Sequence, residues 1–235
     1  MDFKMTNAAT TDADLFSLMR TELFSAVLGD VVDHLGLRNQ FLAAQLAVLE
    51  RGLIIAARAF TVLEADFFAS DVTGSANRLS SKPFGLMFEA LDSLKQNDVY
   101  ICTGSSPAYA LWGGLMSIRA LQLGAAGAVL DGYVRDSQEI LELGLPIASR
   151  GCYAQDQLPR GKVLDYNVPL TMGGVLIRPG DIVFGDCDGV LCIPQAQESE
   201  IIGAALDKVR GESAVRDALK NGMSATEAFE RFGIM

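Results

Sequence analysis

Between Val99 and Ala148, short apolar runs alternate with amphipathic ones, and few fold classes accommodate that order. Val99-Tyr100-Ile101-Cys102 reads as a buried strand. Trp112 to Leu123 reads as a helix with Leu111, Leu115, Ile118 and Leu121 on one face, closed by Gly124 as a C-terminal glycine. Ala128-Val129-Leu130-Asp131 is the next strand, followed by a helix from Asp136 to Leu143 and a strand from Pro146 to Ala148. Strand–helix–strand–helix–strand implies βαβ units around a buried, mostly parallel sheet, an α/β fold.

The flanks are read the same way. Asp12 to Leu28 is expected to be a helix with Asp12 or Asp14 as its cap, and Asp30 to Leu37 a short amphipathic segment. Leu53 to Leu63 alternates as a strand does, and Phe84 to Leu94 has a helical pattern. After a less regular stretch from Gly151 to Thr171, short strands at Val175 to Ile177, Ile182 to Phe184 and Val190 to Ile193 suit hairpins or a small β layer. Gln195 to Met235 reads as helical, with Ser224-Ala225-Thr226-Glu227 as a capping box. No repeat or linker divides the 235 residues, so one domain over 1–235 is expected, with 195–235 as a helical extension.

Composition removes several functions. With 19 Lys and Arg against 29 Asp and Glu, the net charge is −10. No basic cluster stands against that balance, which argues against a nucleic-acid partner. The uncharged run from Val99 to Ile118 is interrupted by Gly104-Ser105-Ser106-Pro107 and Gly113-Gly114, so no membrane span is expected. Met1 to Leu15 has no apolar leader, and a cytoplasmic location is the expectation. Cys102, Cys152, Cys187 and Cys192 form no C-x-x-C and are expected to be reduced, in core or partly buried strands. The only histidine, His34, cannot complete a zinc set and sits among Val31, Val32 and Leu35 as an ordinary helix residue would. Phosphate-loop, serine-hydrolase and dinucleotide fingerprints are missing.

What remains is a set of carboxylates, one arginine and glycine-rich turns. Asp131-Gly132-Tyr133-Val134-Arg135-Asp136 follows a strand and opens a helix, the place where open α/β sheets bind ligands. Arg135 suits a carboxylate or a developing enolate, and Asp136 is a hard oxygen ligand for Mg²⁺. Two plainer readings stay open: Asp136 with Glu139 has capping-box spacing, and Arg135 can make a surface ion pair. Gly113-Gly114 opens a helix whose first amides point outward, a carboxylate site, or else a tight strand-to-helix turn. Neighbouring strand ends would set this turn beside Arg135 and Asp136.

Trp112-Gly113-Gly114-Leu115-Met116, the run from Gly124 through Gly127-Ala128-Val129-Leu130-Asp131-Gly132 to Arg135-Asp136, Pro179-Gly180-Asp181, and Gly185-Asp186-Cys187-Asp188-Gly189 through Pro194 together resemble the RraA-like family. That family holds regulators of ribonuclease activity and 4-hydroxy-4-methyl-2-oxoglutarate/4-carboxy-4-hydroxy-2-oxoadipate aldolases. The resemblance implies a swivelling β/β/α-type fold with C-terminal helices, assembled as homotrimers or hexamers. It implies Mg²⁺ or Mn²⁺ on Asp136, a pyruvoyl unit and its enolate on Arg135, and a substrate carboxylate on the amides of Gly113, Gly114, Leu115 and Met116. Glu212 matches an acid that reaches the site from a neighbouring subunit; alone it reads as a helical pair with Arg216. The expected activity is a lyase releasing pyruvate from a 4-hydroxy-2-oxo acid, with oxaloacetate decarboxylation beside it. One departure stands out: the aldolases carry an acid at position 114, where this chain has glycine. A different 2-oxo acid, or a non-catalytic regulatory protein, is the alternative.

Overall fold

The computed structural model describes residues 11–67, 76 and 78–233. The reading of residues 1–10 as free of a leader, and the last two residues of the tail, lie outside the described residues.

Helices α1 (Asp12–Glu22) and α2 (Ser25–His34) come first, followed by β1 (Ala47–Val48), β2 (Ile55–Asp66), α3 (Met87–Asp92) and β3 (Asp98–Thr103). The middle of the chain gives β4 (Ala110–Trp112), α4 (Gly114–Gln122), β5 (Gly127–Leu130), β6 (Tyr133–Val134), α5 (Ser137–Leu143) and β7 (Ile147–Ser149). Then come β8 (Gly161–Tyr166), β9 (Leu170–Met172), β10 (Val175–Ile177), β11 (Ile182–Gly185) and β12 (Val190–Ile193), and the helices α6 (Glu198–Lys220) and α7 (Ala225–Phe232).

The main sheet has the order β1-β7-β5-β3-β2-β11-β12, with β8 also paired to β2. Its centre, β7-β5-β3-β2, is parallel as the βαβ pattern requires. The strands β1, β8, β11 and β12 pair antiparallel, so the sheet is mixed rather than mostly parallel. On one side, β2 pairs with β11 over its first half and with β8 over its second, with a register shift between Leu63 and Glu64. That change of partner curls the sheet toward a barrel-like form.

Alternation along the strands divides the interior into layers. Phe60, Val62, Tyr100, Cys102 and Leu130 face α3, α4 and α5. Ala57, Ala59, Val99, Ile101 and Val129 face the opposite way, onto the β9–β10 hairpin through Leu170, Met172, Val175 and Ile177. At the β11–β12 edge, Phe184, Leu191 and Ile193 carry α1, α2 and the start of α6. Helices, curled sheet and hairpin layer form the α/β architecture expected.

Several local expectations are corrected. The first helix does not run to Leu28: it stops at Glu22, and Leu23 and Phe24 are extended. Asp186 imposes the break, because its buried carboxylate accepts the Ser25 backbone N–H and the Ser25 hydroxyl at 2.7 Å each. The cap of α1 is Thr11, with Asp14 closing a capping box. The α4 helix begins at Gly114, not Trp112, and its apolar face is turned outward. Leu115 is 82% exposed, and Ile118 and Leu121 are also exposed. Ser117 and Ala120 face inward instead, since only small side chains fit that close to the sheet, and Ser117 Oγ accepts the Trp112 indole N–H at 2.7 Å. Cys102 and Cys192 are buried as expected, whereas Cys152 and Cys187 are exposed; all four are free thiols. The capping box at Ser224 and Glu227 forms.

Candidate functional site

Two short parallel strands build the site. β4 and β6 pair with Trp112 opposite Val134, and the Arg135 N–H donates to the Trp112 carbonyl at 3.0 Å. The next residues of both strands are therefore neighbours: Gly113-Gly114, opening α4, lies against Arg135-Asp136, opening α5. The Gly114 N–H donates to Asp136 Oδ2 at 3.1 Å. A β-carbon on Gly113 would stand 2.8 Å from that same oxygen and 3.4 Å from the Arg135 side chain, so glycine is what permits the approach.

Asp136 settles one of the alternatives. Its backbone is left-handed, with φ of 57°, and its side chain makes no capping bond to its own helix. The Asp136–Glu139 capping box is not formed. The carboxylate is turned across to the start of α4, whose Leu115 and Met116 amides have no carbonyl partner in a helix's first turn. Arg135 does make ion pairs: Nη1 lies 3.0 Å from Asp156 Oδ1, and Nε lies 3.8 Å from Asp136 Oδ2. All three side chains are about 40% exposed or more, so these pairs hold weakly and Arg135 is available to an incoming carboxylate.

These residues line a cleft of about 250 Å³, walled on its apolar side by Phe84, Met87 and Phe88, with Gly113, Leu115 and Met116 at the α4 end. A second hollow of about 280 Å³ opens on the other side of Arg135 and Asp136, beside Cys152 and Tyr153. Gln157 closes the base of the cleft and reaches inward, donating from Nε2 to Glu64 Oε1 at 2.7 Å. Tyr109 Oη donates toward the same oxygen at 3.3 Å and lies 3.2 Å from Asp66. Burial pushes the Glu64 carboxyl up to about 8, with the Asp66 charge adding to it.

Of the residues singled out in the sequence, Gly113, Gly114, Leu115, Met116, Arg135 and Asp136 come together. Glu212 does not join them within one chain. It lies on α6, none of whose residues lines either hollow. Its neighbour is Lys208, at 4.0 Å, which pairs with Asp30 of α2; it does not pair with Arg216. Sequence reasoning missed Asp156 and Gln157, which sit in the stretch read as irregular, and it missed Glu64. The signal for Glu64 was present, as the lone charged residue in the run Phe60 to Ala65.

The donor set limits what metal would fit. Among the described residues, no group of three or more His, Cys, Asp or Glu side chains is placed to hold an ion. Asp136 offers a single half-exposed carboxylate beside an open cleft. That suits a hard cation such as Mg²⁺ or Mn²⁺, which keeps most of its waters and takes the rest of its oxygens from a ligand, and does not suit zinc.

Layered helices, a curled mixed sheet and an Arg–Asp pair facing an open helix N-terminus define a class of α/β proteins with a cleft at the strand ends. The chain belongs to the RraA-like family, whose model, described as Aldolase/RraA, matches residues 25–192. It is 38% identical over 110 residues to a protein of Halalkalibacterium halodurans with the provisional name 4-hydroxy-4-methyl-2-oxoglutarate aldolase, covering 47% of this chain and 52% of the relative. It is 28% identical over 210 residues to protein DlpA of Legionella pneumophila, covering 88% of this chain and 32% of that one. The chain thus spans about half or less of the length of these curated relatives. Among solved structures, RraAS2 of Streptomyces coelicolor, described as an unusual member of the RNase ES inhibitor RraA protein family, superposes with a TM-score of 0.73 at 25% identity, covering 88% of this chain and 97% of that one. Among the described residues, no helix is long and apolar enough to cross a membrane.

Proposed function

We propose that the chain is a divalent-metal-dependent lyase that cleaves a 4-hydroxy-2-oxo acid, of the 4-hydroxy-4-methyl-2-oxoglutarate type, to pyruvate. The observation that carries this reading is the contact of Arg135 and Asp136 with the open turn of α4, held by the Gly114 N–H to Asp136 bond. Asp136 is the residue that would hold Mg²⁺ or Mn²⁺, which when bound supplies a positive charge to a 2-oxo acid's carboxylate and carbonyl oxygens.

The first-turn amides of Leu115 and Met116 bind the substrate carboxylate. Arg135 leaves Asp156 to face the 2-oxo group and stabilises negative charge as the enolate develops. Phe84, Met87 and Phe88 exclude water from one side of the bond that breaks. Cleavage between C3 and C4 sends the bonding pair into the enolate, the 4-hydroxyl loses its proton to become a carbonyl, and C3 then takes a proton to give pyruvate. The same enolate stabilisation serves oxaloacetate, where carbon dioxide leaves instead.

The test is pyruvate release, coupled to lactate dehydrogenase, from 4-hydroxy-4-methyl-2-oxoglutarate and from oxaloacetate, with Mg²⁺ and with chelator. Metal-dependent turnover on either supports the lyase; none on both, from folded protein, rejects it. The second reading, a protein-binding regulator, is favoured by the glycine at 114 and by the inhibitor description of its structural neighbour. Sub-micromolar capture of a ribonuclease or helicase, with no turnover, would establish it instead.

We also take the chain to work as a homotrimer or hexamer. Leu115, Ile118, Leu121 and Phe88 leave an apolar surface beside the cleft, of the kind a second copy covers, and Glu212 can reach a site only from another subunit. A stable monomer by light scattering would remove Glu212 from the mechanism.

A further inference from the structure

The apolar wall of the cleft is built into the fold. Phe84, Met87 and Phe88 sit on a segment tied to β8: the Leu86 N–H donates to the Val163 carbonyl at 2.9 Å, and the Val163 N–H donates to the Phe84 carbonyl at 3.2 Å. Gly85, between them, has φ of 64°, and a β-carbon there would run into the Val163 carbonyl oxygen, so glycine is what lets the two chains lie this close. The Phe84 and Phe88 rings meet edge-on, with centroids 5.4 Å apart.

Charge in the cleft is one-sided. Among the described residues that line it, Arg135 is the only cation, and Asp136 and Asp156 are carboxylates. The lyase reading assigns Arg135 to the 2-oxo group, Asp136 to the metal and the α4 amides to the carboxylate at C1. Gln157, at the base, turns its amide nitrogen to Glu64. Cations on neighbouring elements are engaged outside the cleft, Lys82 with Glu89 and Arg119 with Asp92. A second carboxylate, on C4 of the substrate, would exchange water for Phe84, Met87 and Phe88 with no donor to replace it. An uncharged alkyl or aryl group would bury its surface there. An apolar cavity of ~150 Å³ holds a benzene ring. The cleft, at about 250 Å³, has room for such a group beside the pyruvoyl unit.

We infer, on the lyase reading of this site, that the preferred substrates are 4-hydroxy-2-oxo acids with a single carboxylate and an apolar group on C4, selected by the Phe84–Met87–Phe88 wall. Cleavage sends the C3–C4 bonding pair into the enolate, the 4-hydroxyl gives up its proton, and C3 takes one. The products are pyruvate and an uncharged aldehyde or ketone, with nothing else consumed.

The experiment separates binding from turnover in the full-length protein. Calorimetry with Mn²⁺ compares 2-oxoglutarate with 5-methyl-2-oxohexanoate, which carries an isopropyl group where the first has its second carboxylate and, like it, has no 4-hydroxyl to cleave. The isopropyl compound is expected to bind at least ~10-fold more tightly, the lower end of what an apolar pocket discriminates. Its cleavable counterpart, 4-hydroxy-5-methyl-2-oxohexanoate, is expected to release pyruvate with a higher kcat/KM than 4-hydroxy-4-methyl-2-oxoglutarate. Phe88→Arg sets a cation on the exposed edge of the wall and is expected to narrow the binding ratio at least ~3-fold. Equal binding of the two analogues, or tighter binding of 2-oxoglutarate, with turnover intact overturns the inference and leaves the lyase reading standing. A ratio that Phe88→Arg does not move, in a variant that melts as the wild type does, also overturns it. Absence of wild-type turnover on both 4-hydroxy acids and on oxaloacetate removes the lyase reading, and the substrate assignment with it.

Discussion

Glu64 is the carboxyl whose ionisation the fold opposes most clearly. Its side chain is 2% exposed, it carries the Gln157 and Tyr109 hydrogen bonds, and burial raises its carboxyl from 4.5 to about 8. Between those two values the folded protein keeps a proton that the unfolded chain has released, so stability falls as pH rises through the window. The slope for one such group is about 1.4 kcal/mol per pH unit, which gives a loss of ~2–3 kcal/mol between pH 5.5 and 7.5. Carboxylates with lowered values, such as Asp12 and Asp66, lose their contribution only at more acidic pH, outside this window. Glu64→Gln removes the titration and keeps an acceptor for Gln157. Urea unfolding at fixed protein concentration and ionic strength, at pH 5.5 and 7.5, is expected to show the loss in wild type and less than ~1 kcal/mol in the variant. Parallel pH slopes in the two proteins would refute the assignment of a buried, protonated Glu64.

Asp136→Asn keeps a residue tolerant of the left-handed backbone and an oxygen for the Gly114 N–H, so stability should change by less than ~1 kcal/mol while metal-dependent pyruvate release is lost; retained turnover would exclude Asp136 as the metal holder. Gly113→Ala would put a methyl 2.8 Å from Asp136 Oδ2 and push the carboxylate aside. A displacement of that order costs ~10²-fold in turnover, read as kcat/KM with the melting temperature as control. Leu115→Glu places a charge on an 82% exposed leucine of α4. It is expected to lower the light-scattering mass toward that of one chain, and an unchanged oligomer would put the assembly surface elsewhere.

The parts of the fold visible in the sequence are those set by local periodicity. The β3–α4–β5–α5–β7 succession was legible because its strands are short apolar runs punctuated by glycine. The meeting of Gly113-Gly114 with Arg135-Asp136 followed from placing two adjacent strand ends side by side. What was not legible depends on distant partners. The break between α1 and α2 is made by Asp186, 161 residues away from Ser25, and nothing near Leu23 announces it. The outward leucines of α4 follow helical spacing faithfully; spacing alone does not say whether the apolar stripe meets this chain's own sheet or another surface. Gln157 reaches Glu64 across 93 residues, from a segment without regular structure.

The Asp136-Ser137-Gln138-Glu139 segment joins local stability to function. Its spacing is that of a capping box, an arrangement worth ~1 kcal/mol to a helix as short as α5. The fold uses neither half of it. Asp136 takes a left-handed backbone and turns to the Gly114 amide, and Glu139 extends over the Gly114 α-carbon without a partner. At Ser224 the same spacing closes its box in full, and at Thr11 a box with Asp at the third position also closes, so this chain forms such caps where nothing competes. Of the three helix starts with this spacing, only the one where two carboxylates converge on an open helix N-terminus, beside an arginine and a cleft, goes without its cap, a local cost of the kind that functional sites carry.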